Sequence, residues 1–221
     1  MFEPEMINLF INGIRESLYM TIVSTVFSYA IGLPLGVILC ITDKKGILPL
    51  PILNTALGFI VNILRSTPFI ILLVAVFPFT RFLVGTTIGS TATIVPLVIA
   101  AAPFVARMVE GSLKEVSSGV IEAAQSMGSS VFQIIYKVLL PEAKPSIVIG
   151  TTITITSILG YSAMAGFVGG GGLGAIAINY GYYRYRSDVL LVTIVLLVII
   201  VQIFQEVGMK VAKKIDKRIK G

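Results

Sequence analysis

Residues 189–205 read VLLVTIVLLVIIVQIFQ, a run of 17 residues without a charged side chain. Most of these side chains are branched and aliphatic, and a helix that crosses a bilayer needs about 20 such residues. Longer uncharged runs of 26, 25 and 39 residues follow Glu16, Arg81 and Lys144. Repeated runs of this length predict a chain that crosses a membrane several times.

The overall composition indicates the same class. Of the 221 residues, 56% are hydrophobic and only 13% are charged, and the mean hydropathy is +0.96. Soluble domains carry about 25% charged residues and disordered chains are low in hydrophobicity, so both classes are excluded. The chain has no histidine and one cysteine, Cys40, which excludes an internal disulfide and removes the commonest metal ligand and general base. We therefore expect no catalytic residue, no metal site and no cofactor.

The uncharged runs predict an all-α membrane protein, and we treat residues 1–221 as a single transmembrane domain. Its five helices are expected at about 17–41, 56–78, 88–107, 146–166 and 188–208. Arg65 interrupts the second span, which is expected to be one long or broken helix. The stretch GFVGGGGLGAIAINYGYY at 166–183 suits a loop or half-inserted segment better than a lipid-facing helix. Its glycines at 169–172 fit a tight outer turn that a docked protein approaches closely, or a flexible loop.

The distribution of positive charge predicts the orientation. With five spans, twelve Lys and Arg residues fall on one side of the membrane and four on the other, and Arg65 lies within a span. The twelve are Lys44, Lys45, Arg107, Lys114, Lys137, Lys144 and the six between Lys210 and Lys220. Because Lys and Arg concentrate on the cytoplasmic side, we expect the N-terminus outside and the C-terminus in the cytoplasm. The net charge of +6 then reflects topology and not a nucleic-acid partner.

A polar loop at 110–144 is cytoplasmic in this topology. It is expected to form two short helices separated at Gly128, with Ser129 and Ser130 capping the second helix and Pro141 ending it. One helix face would carry four apolar residues at spacings of four, four and three, namely Val116, Val120, Ala124 and Met127. Such an amphipathic helix either docks into a partner or lies in the headgroup interface, and the pattern fits both.

The same loop carries a longer pattern. It reads Glu122-Ala123-Ala124, three residues, Gly128, nine residues, Val138, and then Leu140-Pro141. This pattern resembles the EAA loop of the membrane subunits of binding-protein-dependent ABC importers, with valine at 138 where isoleucine is usual. The resemblance implies that the loop forms coupling helices that dock into an ATP-binding subunit, with contacts from Glu122, Ala123, Ala124 and Gly128.

Segments elsewhere resemble the methionine-importer permeases of that family. They are IVNILRSTPFIILLVAVFPFTR from Ile60, AAPFVARMVE from Ala101, KVLLPEA from Lys137, GYSAMA from Gly160 and VGGGGLG from Val168. The resemblance implies a homodimer in the bacterial inner membrane that works with two copies of an ATP-binding subunit and an extracytoplasmic methionine-binding protein or lipoprotein. Methionine, as the L-form, the D-form or both, would cross by alternating access. A separate ATPase is needed because the chain has no GxxxxGK[ST] phosphate-binding loop.

The fourth span offers a candidate translocation path. Thr154, Ser157, Tyr161 and Met164 follow one another at spacings of three, four and three, so they are expected to share one helix face. The hydroxyls of Thr154 and Ser157 fit either helix packing or substrate contact. A flexible thioether and a ring can close a narrow apolar path, so Tyr161 and Met164 are expected to contribute to a gate at the dimer interface.

Arg65, which precedes Ser-Thr-Pro, is the one charge within a predicted span. A cation in a membrane is costly unless it is paired or wet. It is therefore expected either to line a cavity on the translocation path or to lie low enough to reach the cytoplasmic surface.

Two other functions remain open at this point. One is a permease for another small amino acid or solute, and the other is an ATP-independent channel or carrier. A carrier would be expected to show intramembrane carboxylates or repeated spans, and the sequence predicts neither.

Overall fold

The chain is helical throughout the part described by the computed structural model, residues 4–216, and these residues form no β-strand. In chain order the α-helices are α1 Pro4–Ile41, α2 Pro51–Ser66, α3 Phe69–Ala75, α4 Phe77–Val84, α5 Ser90–Lys114, α6 Ser118–Ser126, α7 Val131–Ile134, α8 Leu140–Ala165, α9 Gly172–Ile176 and α10 Ser187–Ile215. Tighter or wider helical turns lie at Ile135–Leu139, Gly166–Val168 and Ala177–Tyr182. The prediction of an all-α protein is confirmed.

The number of candidate membrane crossings agrees with the prediction of five. Four helical stretches among the described residues are long and apolar enough to cross a bilayer, and the bent pair of α2 and α3 makes a fifth if it counts as one span. Helix α1 begins at Pro4 and not near residue 17, and its 38 residues extend about 57 Å at 1.5 Å per residue. It is thus longer than the roughly 30 Å hydrocarbon core of a bilayer.

The second span is broken at Pro68. Its preceding residue, Thr67, has extended backbone with ψ of 123°, as expected before proline, whose ring disfavours helical backbone at that position. The axes of α2 and α3 meet at 104°. The predicted span at 56–78 is therefore divided among α2, α3 and the start of α4.

Helices α1 and α5 pack closely through two glycines spaced four residues apart. A methyl group placed on Gly32 would lie 2.6 Å from the carbonyl oxygen of Ala102, and one on Gly36 would lie 2.5 Å from that of Ala106. Small residues at this spacing let the backbones of membrane helices approach each other. Val109 of α5 is buried at this contact, so α1 and α5 form the centre of the fold.

The polar loop joins the fourth span without a break. The prediction that Pro141 ends the second loop helix is wrong, because the helical stretch continues from Val131 through Pro141 to Ala165. Proline at 141 would clash with the carbonyl of residue 137 in a regular α-helix, and a wider π-helical turn at Ile135–Leu139 directly precedes it.

The glycine-rich segment is a packed turn. Gly169, Gly171 and Gly172 have φ of +81°, +82° and +70°, values that only glycine adopts readily. The backbone N–H of Gly172 donates a 2.6 Å hydrogen bond to Oε2 of Glu16. A tight turn is thus confirmed. Most of 166–183 is helical, in contrast to the predicted loop.

Candidate coupling surface and translocation path

Helix α6 has a defined end at Gly128. The N–H of Ser129 donates to the carbonyl of Ala124 at 3.1 Å, and the N–H of Gly128 donates to that of Gln125 at 2.9 Å. With φ of +75° at Gly128, these two bonds form a Schellman motif. The predicted break at Gly128 is therefore confirmed, and a side chain at this position would strain the turn.

A capping box starts the next helix. The N–H of Gln133 donates to Oγ of Ser130 at 3.3 Å, and the N–H of Ser130 donates to Oε1 of Gln133 at 2.8 Å. Each side chain thus satisfies a backbone group of the other residue. The prediction of a serine cap is confirmed for Ser130. Together the two motifs fix the angle between α6 and the helix that follows.

One face of α6 packs on the protein and the other is open. Ala124 is 3% exposed and packs in a cluster with buried Leu113, Ile134 and Leu139. Glu122 and Ala123 are exposed. Of the four residues on the predicted apolar face, Val116 and Ala124 are buried, whereas Val120 and Met127 are 43% and 79% exposed. Helix α6 therefore rests on the membrane domain through Ala124 and presents Glu122 and Ala123 outward.

A cleft of about 530 Å³ lies beside α6 on the side of Glu122 and Gln125. It lies between α6 and the connection from α1 to α2, and its lining includes Asp43, Lys45, Ile121, Glu122 and Gln125. The cleft has apolar residues and charged residues of both signs in its lining. This combination suits the binding of a segment of another protein, because protein–protein interfaces have apolar cores and polar rims.

An ion-pair network borders this cleft. Nζ of Lys114 lies 2.8 Å from Oδ2 of Asp43 and 2.8 Å from Oε1 of Glu110. The other carboxylate oxygen of Glu110 lies 2.6 Å from the guanidinium of Arg107. Arg107 also donates to the carbonyl of Gly58 and to Oδ1 of Asn62, both at 3.1 Å. The network thus ties the connection from α1 and the middle of α2 to α5.

The bond from Lys114 lowers the pKa of the Asp43 carboxyl below its ordinary value. A hydrogen bond to a carboxylate favours its charged form. Asp43 is therefore ionised at neutral pH and keeps the cleft rim charged.

This ion-pair network was not predicted from the sequence, in which Arg107 and Lys114 were used only to assign topology. The available signal was the spacing of Arg107, Glu110 and Lys114 at three and four residues, which places alternating charges on one helix face. Their partners in α2 and in the connection before it could not be inferred from spacing.

The candidate path residues lie in different surroundings. Tyr161 stacks on Phe69 of α3 with ring centroids 4.7 Å apart. Arg65, in the last turn of α2, shares with this ring pair a small cavity of about 110 Å³. The structure therefore brings Arg65 and Tyr161 together.

The other three path residues lie outside that cavity. Thr154 is fully buried and its hydroxyl donates to the carbonyl of Gly150 at 2.8 Å. Ser157 likewise donates to the carbonyl of Ile153 at 2.9 Å. Both hydroxyls bond within their own helix, and the burial of Thr154 fits helix packing. Met164 is 47% exposed. The four residues lie within the one helix α8, as their spacing requires for a shared face, but their surroundings differ.

Comparison with known proteins places the chain in a family. The model of the family described as "binding-protein-dependent transport system inner membrane component" matches residues 32–220. The chain belongs to this family. As a member of the binding-protein-dependent transport family it is an inner-membrane component of a bacterial ABC transporter, in agreement with the predicted location.

Individual relatives within the binding-protein-dependent transport family have more specific names than the family itself. The chain is 51% identical over 211 residues to the "Probable D-methionine transport system permease protein MetI" of Vibrio cholerae serotype O1, with 96% of this chain and 94% of the relative covered. It is 52% identical over 166 residues to the D-methionine transport system permease protein MetI of Escherichia coli strain K12, covering 75% and 76%. A chain of the solved MetNI methionine ABC transporter, in an inward-facing conformation, matches with TM-score 0.96 and 48% identity and covers 98% of this chain and 100% of that one.

Proposed function

We propose that this chain is the permease subunit of an ATP-driven methionine importer. The observation that carries the proposal is the outward face of α6, where Glu122 and Ala123 are exposed while Ala124 anchors the helix to the core. Identities of 48–52% to methionine transport permeases support the substrate.

In the proposed mechanism α6 transmits movement from a separate ATP-binding subunit. Residues Glu122, Ala123, Ala124 and Gly128 form the coupling site, with Glu122 and Ala123 contacting the ATPase and the Gly128 turn fixing the helix direction. The cleft of about 530 Å³ beside Glu122 receives a segment of that subunit. ATP hydrolysis occurs entirely in the partner. When the two ATP-binding subunits close, α6 moves with them and the permease changes from inward-open to outward-open.

The path is formed by two copies of this chain. Five spans enclose little space alone, and α10 carries exposed apolar side chains such as Leu191 and Val195 that lipid or a second copy would cover. Residues Tyr161 and Met164 act in the gate, and Arg65 lies beside Tyr161 in the path. The N-terminus and the glycine-rich turn face an extracytoplasmic methionine-binding protein, and the basic C-terminus lies in the cytoplasm.

An ion-coupled carrier is less well supported. It predicts carboxylates inside the membrane, whereas no Asp or Glu lies well inside a predicted span. Glu16 of α1 and Glu110 of α5 lie just outside the predicted spans 17–41 and 88–107. Glu16 accepts the bond from Gly172, and Glu110 pairs with two cations. Both are engaged in holding helices together, so neither is free to carry a coupling ion.

Substrate specificity is tested by uptake of labelled methionine into vesicles that contain the complete complex and its binding protein. We expect uptake only with internal ATP, and competition by unlabelled methionine but not by other amino acids. Uptake of another solute with no transport of methionine would agree with an importer but would refute methionine as its substrate. Uptake without ATP would favour the carrier.

A further inference from the structure

Arg65 is the one charged residue between Gly46 and Thr80 and lies in the last turn of α2, just before the bend at Pro68. It is exposed, and its guanidinium makes no hydrogen bond or ion pair with the residues at 4–216 that the structure describes. An intramembrane cation without a partner is costly. The Arg65 guanidinium must therefore be hydrated or bound to an anionic ligand.

Arg107, on the facing helix α5, has its charge paired within the protein, although its Nε has no hydrogen-bond partner among the described residues. It pairs with Glu110 at 2.6 Å and donates to Gly58 and Asn62. Asn62 lies three residues before Arg65 on α2, so Arg107 contacts α2 about one turn before Arg65. Of these two arginines, Arg107 is paired with a carboxylate and Arg65 is not paired with any carboxylate among the described residues.

The cavity beside Arg65 lies against the middle of α5. Arg65 shares it with Ala100 and Phe104 of α5, which lie 14 and 10 residues before Lys114. At 1.5 Å per residue this is about 15–21 Å from the end of α5 that adjoins α6. The shared cavity supports the predicted placement of Arg65 on the path.

The walls of the cavity combine a cation with aromatic rings. Tyr161 and Phe69 stack at 4.7 Å and contribute to the same lining as Arg65. The cavity volume is about 110 Å³, several times that of one water molecule but too small to enclose a whole amino acid. It has room for a carboxylate group whose remaining atoms extend along the rings.

We propose that Arg65 binds the α-carboxylate of the transported amino acid, with Tyr161 and Phe69 forming the apolar wall beside it. The guanidinium fork pairs with a carboxylate through two parallel hydrogen bonds. A thioether makes favourable contacts with aromatic rings, so the rings suit the side chain of methionine. This inference rests on the proposed function, since it assumes that an amino acid passes through this subunit.

The first test measures uptake of labelled methionine into vesicles holding the complete complex. Arg65→Gln should lower uptake about tenfold to a hundredfold, the effect of losing a charge-assisted bond, while assembly and ATP hydrolysis persist. Arg65→Lys should retain at least a third of the uptake. Arg81→Gln, which removes an exposed cation from α4, is the matched control and should leave uptake unchanged.

The second test needs no binding protein. In a Cys40→Ser background the chain has no other cysteine, so Ala100→Cys places a single thiol in the cavity lining. Methionine at millimolar concentration should slow its reaction with a small methanethiosulfonate reagent. Methioninol, which lacks the carboxylate, should not. The protection should disappear with Arg65→Gln.

Three results would overturn the inference. They are uptake by Arg65→Gln within twofold of the unchanged complex, equal loss in Arg65→Gln and Arg65→Lys, and protection that is absent or equal for methionine and methioninol. Failure of the unchanged complex to take up methionine would instead refute the proposed function, so the two failures are distinguishable.

Discussion

The carboxylate of Glu110 lies 2.6 Å from the guanidinium of Arg107, three residues earlier on α5. Glu110 is 6% exposed, so its charge is compensated within the protein. Because Arg107 also donates to Gly58 and Asn62 of α2, this pair fixes α5 against the helix that carries Arg65. A movement of the end of α5 that adjoins α6 would thus be transmitted through α2 to Arg65.

Glu110→Gln should destabilise the complex. The change leaves Arg107 and Lys114 without their shared carboxylate, and breaking a buried pair costs about 3–5 kcal/mol, reduced here because both cations are partly exposed. We expect a fall of several degrees in Tm, measured by thermal unfolding of the purified complex. Glu206→Gln breaks an exposed pair with Lys210 and is the matched control, with a cost of about 0–1 kcal/mol. Equal effects would contradict the role of burial.

The contact between Asp43 and Lys114 predicts a pH dependence. The folded pKa of Asp43 is below its unfolded value, so its stabilising contribution is complete above the unfolded pKa and is lost as pH falls through the folded one. The Tm difference between the unchanged complex and Asp43→Asn should therefore be constant from pH 7 to 5 and shrink below about pH 4. A difference that grows as pH falls would contradict this assignment.

Gly36→Ala should weaken the packing of α1 on α5. The new methyl group would meet the carbonyl oxygen of Ala106 at 2.5 Å, and overpacking of this kind costs about 1–3 kcal/mol. Gly111→Ala is the matched control, because nothing lies within 4 Å of the added methyl and alanine favours a helix. Thermal unfolding should show a lower Tm for the first variant and an unchanged or higher Tm for the second.

Met164→Asp tests the gate without disturbing the core, because Met164 is 47% exposed. A charge in a narrow apolar constriction would be hydrated and would keep it from closing. We expect ATP hydrolysis to persist while accumulated methionine leaks from the vesicles. Unimpaired, fully coupled uptake would argue against a gate at this residue.

Local features of the fold were predictable from the sequence. Uncharged runs predicted the number of candidate crossings, the Gly128 break followed from glycine chemistry, and the cap at Ser130 followed from serine at a helix start. Each of these depends on residues within a few positions of one another.

Features that depend on distant neighbours were not predictable. The bond from Gly172 to Glu16 joins residues 156 positions apart, and the pair of Lys114 and Asp43 joins residues 71 apart. Helix continuity through Pro141 depends on the π-helical turn at Ile135–Leu139, which the sequence pattern did not reveal. The burial of Thr154 likewise depends on which side of α8 meets the other helices, and a spacing rule alone does not determine this.

The most direct test of the central claim is ATP-driven uptake of labelled methionine by the reconstituted complex carrying Glu122→Lys. Uptake should be lost, because reversing the charge on the outward face of α6 separates it from the ATPase. Glu115→Lys changes an exposed carboxylate just before α6 and should retain uptake. Methionine uptake by Glu122→Lys equal to that of the unchanged complex would contradict coupling through this helix.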